Sequence, residues 1–227
     1  MCGRFAQTQS GEAVATAFQL SVQPELQPRY NVAPSQPISV VVQSRQSGDR
    51  RHHEKKWGLL PGWSRDPKLA YKLINARSET VAEKPAFRQA FQKRRCLIVA
   101  DGFYEWQVAP KEQNKNKQPY LIQLKTRSLF AFAGLWERWR SPDTGDTVFS
   151  CTILTTAANE VMAPIHHRMP VILPPQAYDP WLDAAYYNRE QLESLLQPYE
   201  SEAMTTTAIS AAVNNPHNEA AAVQTPL

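Results

Sequence analysis

At 227 residues, with 42% apolar side chains and six tryptophans, the chain has enough material for one well-packed domain and is too apolar to be disordered. Three scattered cysteines without a CxxC pair exclude a disulfide framework and zinc-finger spacing, and no apolar run is long enough to cross a bilayer; without a basic-then-apolar leader, the expectation is a metal-free, cytoplasmic protein. The net charge of +4 hides an asymmetry: residues 1–170 carry 24 basic against 14 acidic side chains, whereas residues 171–227 set Arg189 against seven acids, so the basic body suits a polyanion, nucleic acid first.

In chain order, Ser10 caps a predicted helix over 10–20, with Val14, Ala17 and Phe18 on one face. Pro24 and Pro28 punctuate an irregular stretch that leads into Arg29-Tyr30-Asn31-Val32-Ala33-Pro34. The β-branched run 38–42 reads as a buried strand and 56–60 as another before the Pro61-Gly62 turn. Pro85 suits the first turn of a helix running to Lys93. The apolar strand 96–100 then runs through Asp101-Gly102 into Phe103-Tyr104-Glu105-Trp106. A polar loop is expected over 111–118. Segments 120–124 and 129–136 suggest a hairpin, and 148–155 adds a further strand. After Pro170 come a strand over 171–173, helices over 175–184 and 188–196, and a strand-like 205–210. Residues 211–227 are short on apolar bulk and read as a loosely ordered tail. Many strands, few helices and no βαβ alternation predict a single α+β domain over 1–227, built on a curled, mostly antiparallel, barrel-like β-sheet with flanking helices.

The residue with the sharpest chemistry is Cys2, in Met1-Cys2-Gly3-Arg4-Phe5. Once Met1 is removed, Cys2 carries a free α-amine and a thiol on adjacent carbons. An aldehyde forms an imine with that amine and is then captured by the sulfur as a five-membered thiazolidine, which no internal cysteine can do. The amine titrates near ~7.7–8.0 and a thiol near ~8.5, so both lie close to neutrality. Cys96 and Cys151 sit in apolar runs as inert core thiols. Glu105, at the end of an apolar strand between two aromatics, is a candidate general acid or base. His166 is the other candidate proton carrier. Because His166 and His167 are adjacent in an extended segment, they should point opposite ways, and without a third ligand they make a poor metal site. Asn75 can hold a carbonyl or hydroxyl, Arg77 and Arg4 can hold phosphates, and Trp63 and Trp106 offer faces for stacked bases.

Taken together, these segments resemble the SOS response-associated peptidase (SRAP) family, which acts on abasic sites in DNA. The likeness runs through Met1-Cys2-Gly3-Arg4-Phe5, Arg29-Tyr30-Asn31-Val32-Ala33-Pro34, Trp57-Gly58-Leu59-Leu60-Pro61, Ile74-Asn75-Ala76-Arg77-Ser78-Glu79-Thr80 and Asp101-Gly102-Phe103-Tyr104-Glu105-Trp106. It continues in Ala133-Gly134-Leu135-Trp136, Thr155-Thr156-Ala157-Ala158-Asn159 and Ile165-His166-His167-Arg168-Met169-Pro170, over about 170 of the 227 residues. Val213-Asn214 resembles a late Val-Asn element of the family, but the residues beyond Asn214 depart from the family pattern.

The resemblance implies that the mature Cys2 forms a thiazolidine with the ring-opened abasic sugar in single-stranded DNA, shielding the lesion. Asn75, Glu105 and His166 would assist as catalytic residues, and Arg4, Asn31, Trp63, Arg77 and Trp106 would form the DNA-binding set. It further implies peptidase or hydrolase action read as removal of Met1 and a lyase-like character; the further expectations are no cofactor and a monomer with no membrane attachment. Two readings compete. N-terminal-nucleophile amidotransferases also begin Met-Cys-Gly, but continue at once with an apolar strand where this chain has Arg4. A single-strand DNA-binding module would make Cys2 incidental.

Overall fold

The computed structural model describes residues 2–107, 117–185 and 187–227. The elements in order are β1 (Phe5–Gln7), α1 (Gly11–Phe18), β2 (Arg29–Val32), β3 (Pro37–Gln43), β4 (Arg50–Trp57), β5 (Asn75–Arg77), α2 (Arg88–Lys93), β6 (Arg95–Ala100), β7 (Gly102–Gln107), β8 (Gln118–Leu124), β9 (Phe130–Arg140), β10 (Thr147–Ala157), β11 (Arg168–Pro170), β12 (Ile172–Leu173), α3 (Tyr178–Leu182), α4 (Arg189–Ser194) and β13 (Met204–Ala208). Short 3-10 turns, including Pro67–Lys72 and Ala211–Asn214, fill several connections.

Five strands close on themselves in the order β4, β3, β6, β9, β10, and the ring is completed where β10 runs parallel to β4, with Ser150 opposite Lys56 and Cys151 opposite Trp57. The mixed α+β fold is therefore a closed five-stranded barrel, to which β5, β11 and β12 add. Strand alternation sends Val40, Ile98, Phe132 and Trp57 inward, while Val41, Leu97, Ala133 and Leu135 face outward beneath the helices. A second sheet, β13-β8-β7-β1-β2, is antiparallel throughout. One of its faces, with Phe5, Phe103 and Ile122, packs on the barrel; the other, with Ala6, Tyr104 and Leu121, is covered by Ile209, Val213 and Val223. The corner from β6 into β7 is tied to the N-terminal strand by Asp101, whose Oδ2 accepts from Thr8 Oγ1 at 2.8 Å and Gln9 N–H at 3.2 Å.

Several expectations are met. Ser10 Oγ accepts from Ala13 N–H at 3.2 Å as the cap of α1, and Asn188 caps α4. Others are corrected. The expected hairpin of 120–124 with 129–136 does not form: β8 pairs β7 and β13, and β9 pairs β6, β10 and β12. Leu121 and Ile122 are buried on opposite faces of the second sheet, a demand that one amphipathic hairpin cannot meet. The strand expected over 56–60 is instead Arg50–Trp57, whose charged composition disguised it; Lys55 is buried under Trp136 and Phe149, with Nζ 4.5 Å and 5.0 Å from the ring centroids. The irregular stretch before Ala33 contains β2.

The expected loose tail does not describe 211–227 either. Val213 and Val223 are fully buried, and Leu227 N–H reaches Ala208 O at 3.1 Å, because the outer face of the second sheet needs an apolar cover. The expected polar loop over 111–118 lies outside the described residues except at its last two positions, of which Gln118 opens β8.

Gly134 on β9 lies hard against β6: a Cβ there would sit 2.8 Å from Ile98 Cδ1 and 2.9 Å from Cys96 Sγ. Gly134→Ala should cost about 1–3 kcal/mol through overpacking, which at this chain length lowers the melting temperature by about 2–12 °C in calorimetry. An unchanged melting temperature would contradict the packing described.

Candidate active site

Cys2 lies just ahead of β1, in the apolar layer between the barrel and the second sheet, and is fully buried. The Cys2 carbonyl accepts from Asn75 Nδ2 at 2.8 Å, and the Cys2 thiol donates weakly to Arg4 O at 3.8 Å. Burial first, and then the charge of Glu105, push the Cys2 thiol well above its ordinary range.

Asn75 is delivered by β5, which runs parallel to β10 with Asn75 opposite Ile153. Alternation along this short strand buries Ala76 in the core and leaves Asn75 and Arg77 on the other side, half-buried and exposed respectively. The Asn75 Oδ1 is buried without a hydrogen-bond partner among the described residues, an unused acceptor on the same amide that grips Cys2. Glu105 lies on β7 at the parity of Phe103, the barrel-facing side, and is only 3% exposed. Its charge acts on both Cys2 and His166, and Cys2 is in turn held by Asn75 through its carbonyl.

His166 comes after a turn closed by its own N–H to Met162 O at 2.9 Å. Its Nδ1 lies 3.1 Å from Arg168 O and 3.0 Å from Arg168 N–H; in the tautomer that donates Nδ1–H to the carbonyl, the neutral ring keeps the Nε2 lone pair free to take a proton. Burial holds the imidazole below its ordinary 6.5, against the opposing charge of Glu105. The two histidines do not simply diverge: His166 is half-buried and His167 exposed, yet their rings stack at 4.4 Å between centroids.

The DNA-binding candidates divide. Arg77 is exposed beside the site, and Trp63, 62% exposed, stands on a turn braced by Trp139 Nε1 donating to Ser64 O at 2.7 Å. Arg4, Asn31 and Trp106 lie instead on the outer side of the second sheet, under the C-terminal segment. Arg4 Nη1 donates to Asn31 Oδ1 and Val213 O, both at 2.8 Å, and the guanidinium lies 5.9 Å from the Trp106 ring centroid. Asn31 is fully buried, with its amide spent on backbone carbonyls, so a direct contact from Asn31 to a phosphate is not available in this arrangement.

Arg168 and Glu79, not among the site residues expected from the sequence, form an ion pair while Arg168 Nη2 also donates to Thr155 O at 2.6 Å. The pair ties the turn after Arg77 to the strand after His166, and its two members stand in the same motifs as Asn75 and His166, the one signal that could have found them. Cys96 and Cys151 are buried free thiols, Cys96 pushed up to about 12 by burial. Among the described residues no cluster of three His, Cys, Asp or Glu could hold a metal, and no helix is long and apolar enough to cross a membrane.

Comparison with known proteins decides the family: the sequence model of SOS response associated peptidase (SRAP) matches residues 1–216. The chain belongs to the SRAP family. It is 43% identical over 221 residues to the abasic site processing protein YoqW of Bacillus subtilis, covering 96% of each chain. It is 34% identical to the abasic site processing protein HMCES of Xenopus tropicalis, covering 85% of this chain and 64% of that one. Among solved structures, a protein from Bacteroides thetaiotaomicron superposes with a TM-score of 0.86 at 27% identity, covering both chains completely.

Burial first, and then the Glu105 charge, oppose thiolate formation at Cys2, so this SRAP protein should react slowly with iodoacetamide at pH 8. Glu105→Gln lowers the thiol's pKa and should speed Cys2 alkylation several-fold in peptide mass mapping. An unchanged Cys2 rate would mean that Glu105 does not act on the sulfur.

Proposed function

We propose that this protein processes abasic sites in single-stranded DNA by forming a covalent thiazolidine between Cys2 and the ring-opened sugar. The observation that carries this reading is that Asn75 holds the carbonyl of the buried Cys2 while the Glu105 charge reaches both Cys2 and His166, supported by relatives named for abasic site processing. Removal of Met1 comes first, which is how the peptidase in the family's name is read, because the α-amine must be free.

The Cys2 amine adds to the aldehyde carbon to give a carbinolamine, which loses one water to become an imine. Glu105 and His166 move the protons of sugar opening and dehydration, and the buried Asn75 Oδ1 orients the amine or a sugar hydroxyl as an acceptor. The sulfur then bonds to the same carbon and gives up its proton to neutral His166, while the imine nitrogen takes up a proton from Glu105 and becomes the ring N–H. One aldehyde and one aminothiol thus become a thiazolidine plus water. Burial keeps the sulfur as thiol until that step, so neutral His166 serves as base in closure and, once protonated, as acid in reopening. Exposed Arg77 lies beside the strand, and exposed Trp63 stacks an unpaired base. The basic body of residues 1–170 supports a DNA partner, and three buried free thiols suit a monomer working in the reducing cytoplasm.

Incubation with single-stranded DNA carrying one abasic site should give a heat-stable species whose mass is that of the protein lacking Met1 plus the DNA less one water. Cys2→Ala should give none; equal crosslinking by that variant would refute the mechanism. The pH profile of single-turnover crosslinking tests the base. The rate should fall below the α-amine pKa near ~8, then more steeply below the His166 pKa, which burial places under 6.5. His166→Gln should keep the first decline and lose the second. Superimposable profiles would remove His166 from the proton path.

A further inference from the structure

The segment from Val213 to Asn218 turns back onto the second sheet, and the side chains that hold it there stand next to the reactive cysteine or on the strands beside it. Val213 O accepts from Arg4 Nη1 at 2.8 Å. The Asn31 Nδ2 spans the turn, donating to Val213 O at 3.2 Å, Asn215 O at 3.0 Å and Asn218 O at 2.9 Å, while its Oδ1 holds Arg4. Asn214 Oδ1 accepts from Trp106 Nε1 at 2.7 Å, and Trp106 is the neighbour of Glu105 on β7. Farther on, Glu219 pairs with Arg29 at 2.7 Å, and Gln224 Nε2 donates to Tyr104 Oη at 3.0 Å. On its backbone side, Arg4 O accepts from Tyr104 N–H at 3.0 Å and from the Cys2 thiol.

Arg4 is thus held at both ends, by β7 through its carbonyl and by the C-terminal turn through its guanidinium. Cys2 stands two residues upstream with Gly3 between, and its thiol donates to the same Arg4 carbonyl, so the seat of Arg4 sets the seat of Cys2. We propose that the turn 213–218 is a positioning element of the reaction site: bracketing Arg4 and Trp106, it keeps the Cys2 sulfur seated beside Glu105. Asn31 and Asn214 are its positioning residues and act through Arg4 and Trp106. Asn31, expected to touch DNA, works behind the site instead. The catalytic part of this inference rests on the proposed function; the seating of Cys2 does not.

Two readouts on full-length protein separate these parts. Asn31→Ala removes the bracket, Asn214→Leu removes the acceptor for the exposed end of Trp106, and Asn214→Asp keeps an acceptor there. The first readout is iodoacetamide labelling of the three thiols in the absence of DNA. Asn31→Ala and Asn214→Leu should raise Cys2 labelling on the order of tenfold, while Cys96 and Cys151, buried in the barrel, stay protected. Asn214→Asp should label as the parent does. Unchanged Cys2 protection in both disruptive variants overturns the inference, as does simultaneous exposure of all three thiols, which would mark plain destabilisation. The second readout is crosslinking at saturating abasic DNA, where the bracket predicts a rate on the order of tenfold lower with undiminished final yield, restored in Asn214→Asp. A lower yield at the parental rate overturns the inference. If the parent forms no Cys2-dependent adduct, the proposed function fails and the labelling result still decides the inference.

Discussion

Phe5 is wedged edge-on between Trp57 and Phe132, with ring centroids 5.2 Å and 5.8 Å away, and the arrangement of the site depends on that wedge. The backbone order of this segment comes from side-chain burial and hydrogen bonds borrowed from neighbouring strands. Fully burying a phenylalanine contributes about 1.5–3 kcal/mol, with roughly 0.5–1.5 kcal/mol more for each favourable aromatic pair. Seated this way, β1 pairs with β2 on one side and β7 on the other, so Cys2 is brought against the strand that carries Glu105.

The remaining site residues come from the barrel. β5 is only three residues long and would not persist alone, but its parallel pairing with β10 fixes Asn75 where its amide reaches the Cys2 carbonyl. β11 pairs with the same stretch of β10, Thr155 opposite Pro170 and Ala157 opposite Arg168, so the segment carrying His166 is registered by the strand that registers Asn75. One long strand therefore indexes two of the four candidate catalytic residues, and the second sheet supplies the other two. The chemistry lies at the seam between them, where burial shifts the Cys2 thiol and the His166 imidazole toward their neutral forms.

Much of this was legible in the sequence, for identifiable reasons. The apolar runs of β6, β7 and β10 and the Ser10 cap announce themselves by residue type. Cys2, Asn75, Glu105 and His166 stand in dense motifs, and of these Asn75 holds the Cys2 carbonyl directly. β4 did not read as a strand because seven of its eight residues are charged or histidine, and the feature that makes it one, Lys55 buried beneath two aromatic rings, is contributed by other strands. The false hairpin came from sequence adjacency, whereas the two strands belong to different sheets with different burial demands. The role of the C-terminal turn was invisible for a further reason: Arg4 and Asn31 bind it through the backbone carbonyls of Val213, Asn215 and Asn218, and a carbonyl leaves no trace in residue identity. Buried Asn31 looked like a surface ligand for the same reason.

The central claim is that the amine and the thiol of Cys2 end on the same carbon, and nuclear magnetic resonance reads that carbon directly. Abasic single-stranded DNA labelled with carbon-13 at the sugar aldehyde position would be mixed with protein carrying nitrogen-15 in Cys2. The account predicts that the label becomes a saturated carbon, coupled to the Cys2 nitrogen and inert to borohydride, as a thiazolidine requires. A trigonal imine carbon that borohydride reduces, or a sugar carbon with no coupling to Cys2, would contradict it.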